Sequence, residues 1–494
     1  MSKIVIQNCN QCYMDIPLKE AQTIFKEYQV KHPNAFYLRG RVKGWDGIVR
    51  FITKTGSFKI GLLPSVLASC KALGINPKVV DLRKPVPIVK KSITSIGQYK
   101  LRPEQIKAVS SVINNKVGDV PFHIGVLDYT VNAGKTLIMA AIYLSFHKKL
   151  KTLLITQDAD WLRQSQEEFK QYLPGEDITF VQGSNVKNWS NFSIGMIQSI
   201  SRNLKKYQPE LSKIDMVLVD EADQAGSKSY QQVLTHLYNT RVRLGLSGTI
   251  YMSKAAKDKL KVMNLKAFFG DVLSEFRLKD SIKKGYSTQT IVKMVPVDPY
   301  YPYDWVSQET AYKEIYDDSI TNNPYALKVV EHRLKYNIKY NRLPAIVVCK
   351  FVNHCENIYK HLKKTLDPCL KIARVHVNTP DKERQQIISD FREGKIDILV
   401  STTIIARGKN FPLLRYLINA ASMDSQEKSI QFLGRLVRTH KSKSRVYLDD
   451  LHYFGEYLNR HGNHRRMYYQ REKLKVIQLG KIWKKHPKHK PVLR

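Results

Sequence analysis

The chain has 494 residues, with 81 Lys and Arg against 43 Asp and Glu, a formal charge of +38. A balance this basic excludes indifference to polyanions, and 43% hydrophobic with 10% aromatic residues excludes global disorder. No apolar run approaches the roughly 20 residues that span a bilayer, Met1-Ser2-Lys3-Ile4-Val5 lacks a signal peptide's long apolar stretch, and six cysteines are too sparse for a disulfide framework, so a soluble protein of a reducing, cytoplasm-like compartment is expected.

The charge is uneven. Residues 1–100 carry 17 Lys and Arg against 5 Asp and Glu, and residues 451–494 carry 12 against 2. Basic ends around a less basic middle suggest nucleic-acid-binding appendages. In the first of them, Arg39, Arg41, Lys43 and Arg50 surround Trp45. Trp45 either stacks on a base beside phosphate contacts or belongs to the core of a small β-domain. Cys9-x-x-Cys12 lacks a second pair at a zinc-like spacing and is expected to be ordinary thiols.

Beyond Arg83-Lys84-Pro85-Val86-Pro87, short β-branched runs alternate with helical patterns: Thr152–Thr156, Met216–Val219, Ala345–Val348 and Ile396–Val400. Strands alternating with helices predict parallel α/β sheets. They fall into two blocks parted by Pro296-Val297-Asp298-Pro299-Tyr300-Tyr301-Pro302-Tyr303, where prolines neither continue a helix nor suit a central strand. The expected plan is an N-terminal accessory domain at 1–90, α/β domains at 91–290 and 305–455 joined by a linker at 291–304, and a basic extension at 456–494. In that extension Arg460, Arg465, Arg466, Arg471, Lys473 and Lys475 interleave with Tyr468 and Tyr469. The segment either grips a duplex arm or packs as a basic helix on the second domain, with DNA contact favoured.

The first block carries a phosphate-binding pattern. Asn132-Ala133-Gly134-Lys135-Thr136 precedes the helical run Leu137–Leu144. Gly134 lets backbone N–H groups wrap a phosphate, Lys135 reaches the β/γ-phosphates, Thr136 offers a hydroxyl to Mg²⁺, and the helix N-terminus adds its positive end. The fuller pattern has Gly where Tyr129 stands. After the apolar run Met216–Val219 come Asp220-Glu221-Ala222-Asp223. Asp220 is placed to hold Mg²⁺ and Glu221 to orient and deprotonate the attacking water.

With those motifs in order, residues 99–440 resemble a superfamily 2 helicase. The resemblance implies two RecA-like parallel-sheet domains in tandem, flanked by a small basic α+β N-terminal domain and a basic C-terminal tail. It makes Tyr99–Gln105 an adenine-recognition segment, with Arg102 and Gln105 contacting the nucleotide. Gln157–Phe169, containing Gln164, and Gly195–Ser199, containing Gln198, resemble motifs Ia and Ib, which line the nucleic-acid path in relatives. Leu246-Ser247-Gly248-Thr249 resembles motif III, which couples hydrolysis to strand movement. Ala345–Phe351 with Lys350, and Val400–Asn410 with Thr402 and Gly408, resemble motifs IV and V. Gln431–Arg438 resembles motif VI, in which Arg435 and Arg438 are the candidates for stabilising charge on the γ-phosphate, Gln431 being a further nucleotide contact.

Departures include Thr130-Val131 before the phosphate loop, Gln157 opening motif Ia, Asn410 closing motif V, and a motif VI without the leading His of DEAD-box RNA helicases. The first three bear on individual contacts; although residues 220–223 spell the DEAD-box signature, the Ser-Gly-Thr of motif III and the missing His of motif VI disfavour an RNA unwinder. Lys43–Phe51 followed by Gly61-Leu62-Leu63-Pro64 is similar to the accessory domain of phage UvsW-type recombination helicases, which share the Asn322-Asn323 pair and a basic C-terminal extension. That resemblance implies ATP-dependent, Mg²⁺-requiring remodelling of branched DNA: forks, Holliday junctions, and D- or R-loops. DNA is the expected partner, with replication and recombination proteins as further ones, no membrane, and no required oligomer. Trp45, Arg50, Gln164, Gln198, Lys350 and Thr402 are the expected DNA contacts. A duplex translocase without strand separation and a nucleotide-gated DNA-binding protein with little hydrolysis remain the alternatives.

Overall fold

The computed structural model describes residues 2–36, 44–85, 93–146, 150–157, 159–184, 186–248, 250, 259–298, 312–406, 411–423, 432–434 and 436–480. The chain forms two compact units, Met1–Phe276 and Arg277–Arg494.

The first unit is built on a seven-stranded parallel sheet. Its strands lie in the order Ile178–Val181, Phe192–Met196, Thr152–Thr156, Met216–Asp220, Val242–Ser247, Ile124–Tyr129 and Val272–Phe276. The four central strands are buried along their whole length, which is why they are mostly apolar and show no strict alternation, Arg243 and Asp128 being buried exceptions.

Before this sheet stands a small α+β domain. Its four strands are ordered Ser57–Lys59, Gln11–Asp15, Lys3–Ile6 and Lys78–Asp81, with helices Leu18–Glu27 and Leu63–Ala72 and a separate pair, Gln29–Lys31 with Ile48–Arg50. Its core is continuous with the sheet domain: Ile4, Phe58, Leu62 and Val66 share one buried cluster with Phe122, Ile124 and Ala267. Gly61 allows this approach, because a Cβ there would lie 2.3 Å from the Lys266 carbonyl oxygen.

Arg243, fully buried in the strand Val242–Ser247, fastens the two parts. Its Nη2 donates to the Cys9 carbonyl at 3.2 Å and to Asn10 Oδ1 at 2.7 Å, while Asn10 Nδ2 donates to the Thr235 carbonyl at 2.9 Å. Arg83 and Arg241 both pair with Asp81. Cys9 and Cys12 are buried in this region, and burial raises both thiol pKa values. The N-terminal region is therefore bonded into the first unit and is not a loosely tethered arm.

The second unit repeats the parallel plan. Its strands lie in the order Ile372–Val375, Ile398–Thr402, Ala345–Cys349, Tyr416–Asn419, Arg445–Tyr453, Gln289–Val297 and Lys475–Gln478. Two sequence expectations are corrected. Residues 291–297, expected within the linker, belong to a strand of this sheet, and the two units part between Phe276 and Arg277. Pro296 fits because it pairs with the Arg445–Tyr453 strand on one side, while the Lys475–Gln478 ladder stops at Met294 and demands no donor beyond it. Residues 299–304 lie outside the described residues.

The second correction concerns the C-terminal extension. Helix Glu456–Arg471 leads to strand Lys475–Gln478, which completes the sheet. Arg465, expected on a basic surface, is fully buried against Asp450 at 2.8 and 2.9 Å, and Tyr469 is buried beside it. The segment thus packs onto the second unit through one face, with Leu458, Arg465 and Tyr469 buried, while Arg460, Arg466, Arg471, Lys473 and Lys475 stay exposed. Residues 481–494 lie outside the described residues.

Candidate active site

The strand Ile124–Tyr129 runs between Val242–Ser247 and Val272–Phe276, and its carboxyl end delivers the phosphate loop to the helix Lys135–Ser145. The loop turns through left-handed backbone at Asn132 (φ 67°) and Gly134 (φ 74°). A Cβ at Gly134 would fall 2.4 Å from Gln105 Nε2, so a side chain there meets both the backbone preference and the space. Lys135 Nζ donates to the Tyr129 carbonyl at 3.3 Å, folding back over the loop. Thr136 follows in the first helical turn.

Arg102 and Gln105 come to this loop from the start of helix Pro103–Ile113. Gln105 Nε2 donates to the Ala133 carbonyl at 2.9 Å, its Oε1 accepts from the Arg102 backbone N–H at 2.8 Å, and Arg102 Nη1 donates to the Asn132 carbonyl at 3.3 Å. Gln105, expected to read a base edge, is buried and braces the phosphate loop. Tyr129 also finds its explanation. The side chain standing where a fuller pattern has Gly points into the core, its hydroxyl donating to the Glu104 carbonyl at 2.7 Å and lying 2.9 Å from Ser274 Oγ.

The acids arrive on the strand Met216–Asp220, whose last residue pairs with Leu246. Asp220 is buried, and its Oδ1 has no hydrogen-bond partner. Burial and the Glu221 carboxylate push the Asp220 carboxyl well above the usual carboxylate range, with Lys135 opposing them. Glu221 holds φ 50°, a left-handed backbone that a non-glycine residue adopts at a cost of order 1–3 kcal/mol and that concentrates at functional sites. Asp223 accepts from Ser247 Oγ at 2.7 Å and from Gln224 Nε2 at 2.9 Å. This bond ties the acid turn to the end of the neighbouring strand. Sequence reasoning does not pair Asp223 with Ser247, although adjacent strands ending in an acid run and a Ser carried the signal.

A buried carboxyl oxygen without a protein partner, on a group whose charged form needs a counterion, fits a divalent cation. Asp220 and Thr136 are the residues that would hold it, and it would supply neutralisation of phosphate charge.

The expected nucleic-acid contacts are dispersed. Gln198 opens helix Ile197–Arg202, donates to the Gln157 carbonyl at 3.2 Å, and leaves a buried Oε1 without a partner. Thr402 ends the strand Ile398–Thr402 and is buried. Lys350 Nζ sits 4.6 Å from the Tyr316 ring centre and 4.9 Å from that of Phe351. Trp45 is half-buried, donates to the Ile48 carbonyl at 3.2 Å and meets His32 edge-on. Arg50 pairs with Asp46. Arg438 is half-buried, and its carbonyl accepts from Thr288 Oγ1 at 3.2 Å. Arg39, Arg41, Lys43, Gly408, Gln431, Arg435 and the Gln164 side chain lie outside the described residues.

A phosphate-loop pattern, an adjacent acid pair and a strand-end serine lie on one parallel sheet, with a second such sheet following, as in a helicase-type ATPase. Residues 98–252 match the type III restriction enzyme res subunit family, and residues 329–440 match the helicase conserved C-terminal domain. The chain is an ATP-dependent helicase of superfamily 2. It is 23% identical over 440 residues to the ATP-dependent DNA helicase uvsW of Enterobacteria phage T4, covering 84% of this chain and 83% of that one. In fold it is similar to a fragment assigned as the HsdR subunit of a type I restriction enzyme from Vibrio vulnificus YJ016 (TM-score 0.55, 15% identity, 89% of this chain and 80% of that one). It is also similar to Mss116p bound to ssRNA and AMP-PNP (TM-score 0.52, 16% identity, 77% and 74%).

Proposed function

We propose that the chain is a DNA helicase that unwinds or remodels branched DNA, namely forks, Holliday junctions and D- or R-loops, during phage replication and recombination in the host cytoplasm. The observation that carries this reading is the N-terminal domain bonded into the ATPase unit through Arg243 and a shared core. A basic domain fixed to the motor can hold one DNA arm at a set angle while the motor moves another. Similarity to a DNA helicase over 84% of the chain, beyond the two helicase families, supports the same reading.

In this mechanism the loop Asn132–Thr136 wraps the phosphates and Lys135 neutralises them. Glu221, held in its unusual backbone conformation, orients and deprotonates the attacking water. Arg435 and Arg438 stabilise charge on the transferred group. The Asp223–Ser247 bond joins the acid turn to motif III, so a change at the phosphate is felt at a second strand end. DNA is gripped mainly through phosphates, which makes sequence selectivity weak and shape selectivity the discriminating property.

Strand displacement on forked, four-way and linear substrates with ATP tests this. Displacement of the branched substrates well ahead of linear duplex is expected. Turnover without displacement would replace the reading with a duplex translocase, and binding without turnover with a nucleotide-gated clamp.

A further inference from the structure

The second unit carries a cluster of aromatic and cationic side chains that the helicase motifs do not use. Helix Pro324–Lys339 and the turn after it present Tyr336 and Tyr340, 36% and 52% exposed, with ring centres 4.9 Å apart. Arg342 lies 3.6 Å from the ring centre of half-buried Tyr447 and 5.1 Å from that of Tyr340, and is positioned by a 3.0 Å bond to Asn337 Oδ1. Lys293 stands 5.2 Å from the Tyr336 ring centre and 5.7 Å from that of Tyr447.

Neighbouring carboxylates offset part of this charge, Asp449 acting on Lys293 as well as on Arg333, and the cations Lys293, Arg333 and Arg342 remain in excess of it. Asp449 is fully buried, accepting from Arg333 Nε at 2.5 Å and from the Tyr416 hydroxyl at 2.6 Å, and Glu331 is held by Lys335 and His361. The cluster lies toward the amino ends of the parallel strands, Arg342 preceding Ala345–Cys349 and Tyr447 near the start of Arg445–Tyr453. Lys350 and Thr402, the expected motor contacts, lie at the carboxyl ends. Arg342 and Tyr447 therefore lie toward the opposite strand ends from Lys350 and Thr402, with Lys293 midway along its strand.

Clustered exposed rings mark a contact surface, and fixed cations among them favour a polyanion. Rings held by cations offer faces for bases, while Arg342 and Lys293 meet phosphates. Duplex DNA hides its base faces; a single strand does not. We propose that Tyr336, Tyr340, Arg342 and Lys293 form a second nucleic-acid surface that receives unpaired nucleotides of a single strand. It rests on the nucleic-acid reading of the motor but goes beyond it, giving the separated strand a place to rest apart from the strand ends that carry Lys350 and Thr402.

The test measures anisotropy of fluorescein-labelled oligothymidine and oligouridine of about 30 nucleotides, long enough to occupy more than one such surface, beside a duplex of equal length at the same salt. In the full chain, Tyr336→Ala with Tyr340→Ala is expected to weaken single-strand binding by about thirtyfold or more, the effect of losing two base–aromatic stacks, with duplex binding unchanged. Tyr336→Phe with Tyr340→Phe retains wild-type binding. Unchanged single-strand affinity in the alanine variant, or an equal loss for duplex, overturns the proposal while leaving the motor reading intact. A wild-type chain that binds none of the probes overturns both. Independently of any variant's folding, photo-cross-linking of an iodouracil-bearing strand to the wild-type chain should label peptides containing Tyr336 or Tyr340, and labelling confined to other segments contradicts it.

Discussion

Replacing Glu221 by Gln is expected to lower nucleic-acid-stimulated ATP turnover by about 10²–10⁴-fold, the span typical of a lost general base, while nucleotide and DNA binding persist. The substitution keeps size and hydrogen-bonding reach and removes only the ability to take a proton. Glu221 is the suitable member of the acid pair because Asp220 is buried, with its free Oδ1 and its pushed-up carboxyl suited to a cation. Glu221 is half-buried and displaced from the strand line by its left-handed backbone. Steady-state phosphate release and equilibrium DNA binding on the same preparation check both halves. Turnover within a few-fold of wild type would remove Glu221 from the chemistry.

The largest stability effect is expected in the second unit. Asp450→Asn should destabilise that unit by about 3–5 kcal/mol, because it leaves Arg465 as a buried charge without its counterion. At roughly 2–4 °C per kcal/mol for a unit of this size, the melting temperature should fall by about 10 °C. Asp450 is fully buried and accepts from Arg465, from the Tyr469 hydroxyl at 2.7 Å and from Asn419 Nδ2 at 3.0 Å. Arg465 also donates to the Met423 and Leu451 carbonyls, each at 3.0 Å, so one ion pair joins the C-terminal helix to the sheet beneath it. Thermal unfolding followed by circular dichroism measures the shift. A variant melting with wild type would show that the helix is not anchored there.

How much was legible in the sequence depended on whether the signal was local. The phosphate-loop pattern and the acid pair each occupy a few consecutive residues, and each lies at a strand end. The parallel sheets were legible because doubly covered strands such as Met216–Asp220 carry an unbroken apolar run, here Met216–Val219, up to their functional end. Pro296 misled because proline's cost depends on which neighbour strand reaches it, and the Lys475–Gln478 ladder stops short. Arg465 misled for a similar reason. Charge counting treats every arginine as surface, and its partner Asp450 lies on another element. Gln105 and Tyr129 show the same limit inside the site: their partners Ala133 and Ser274 are 28 and 145 residues away in sequence.

The most direct test of the central claim is phosphate release by the wild-type chain with ATP and Mg²⁺, measured with and without forked DNA. A motor of the kind described should turn over slowly alone and markedly faster on the fork. Turnover that is absent under both conditions, or indifferent to DNA, would contradict it.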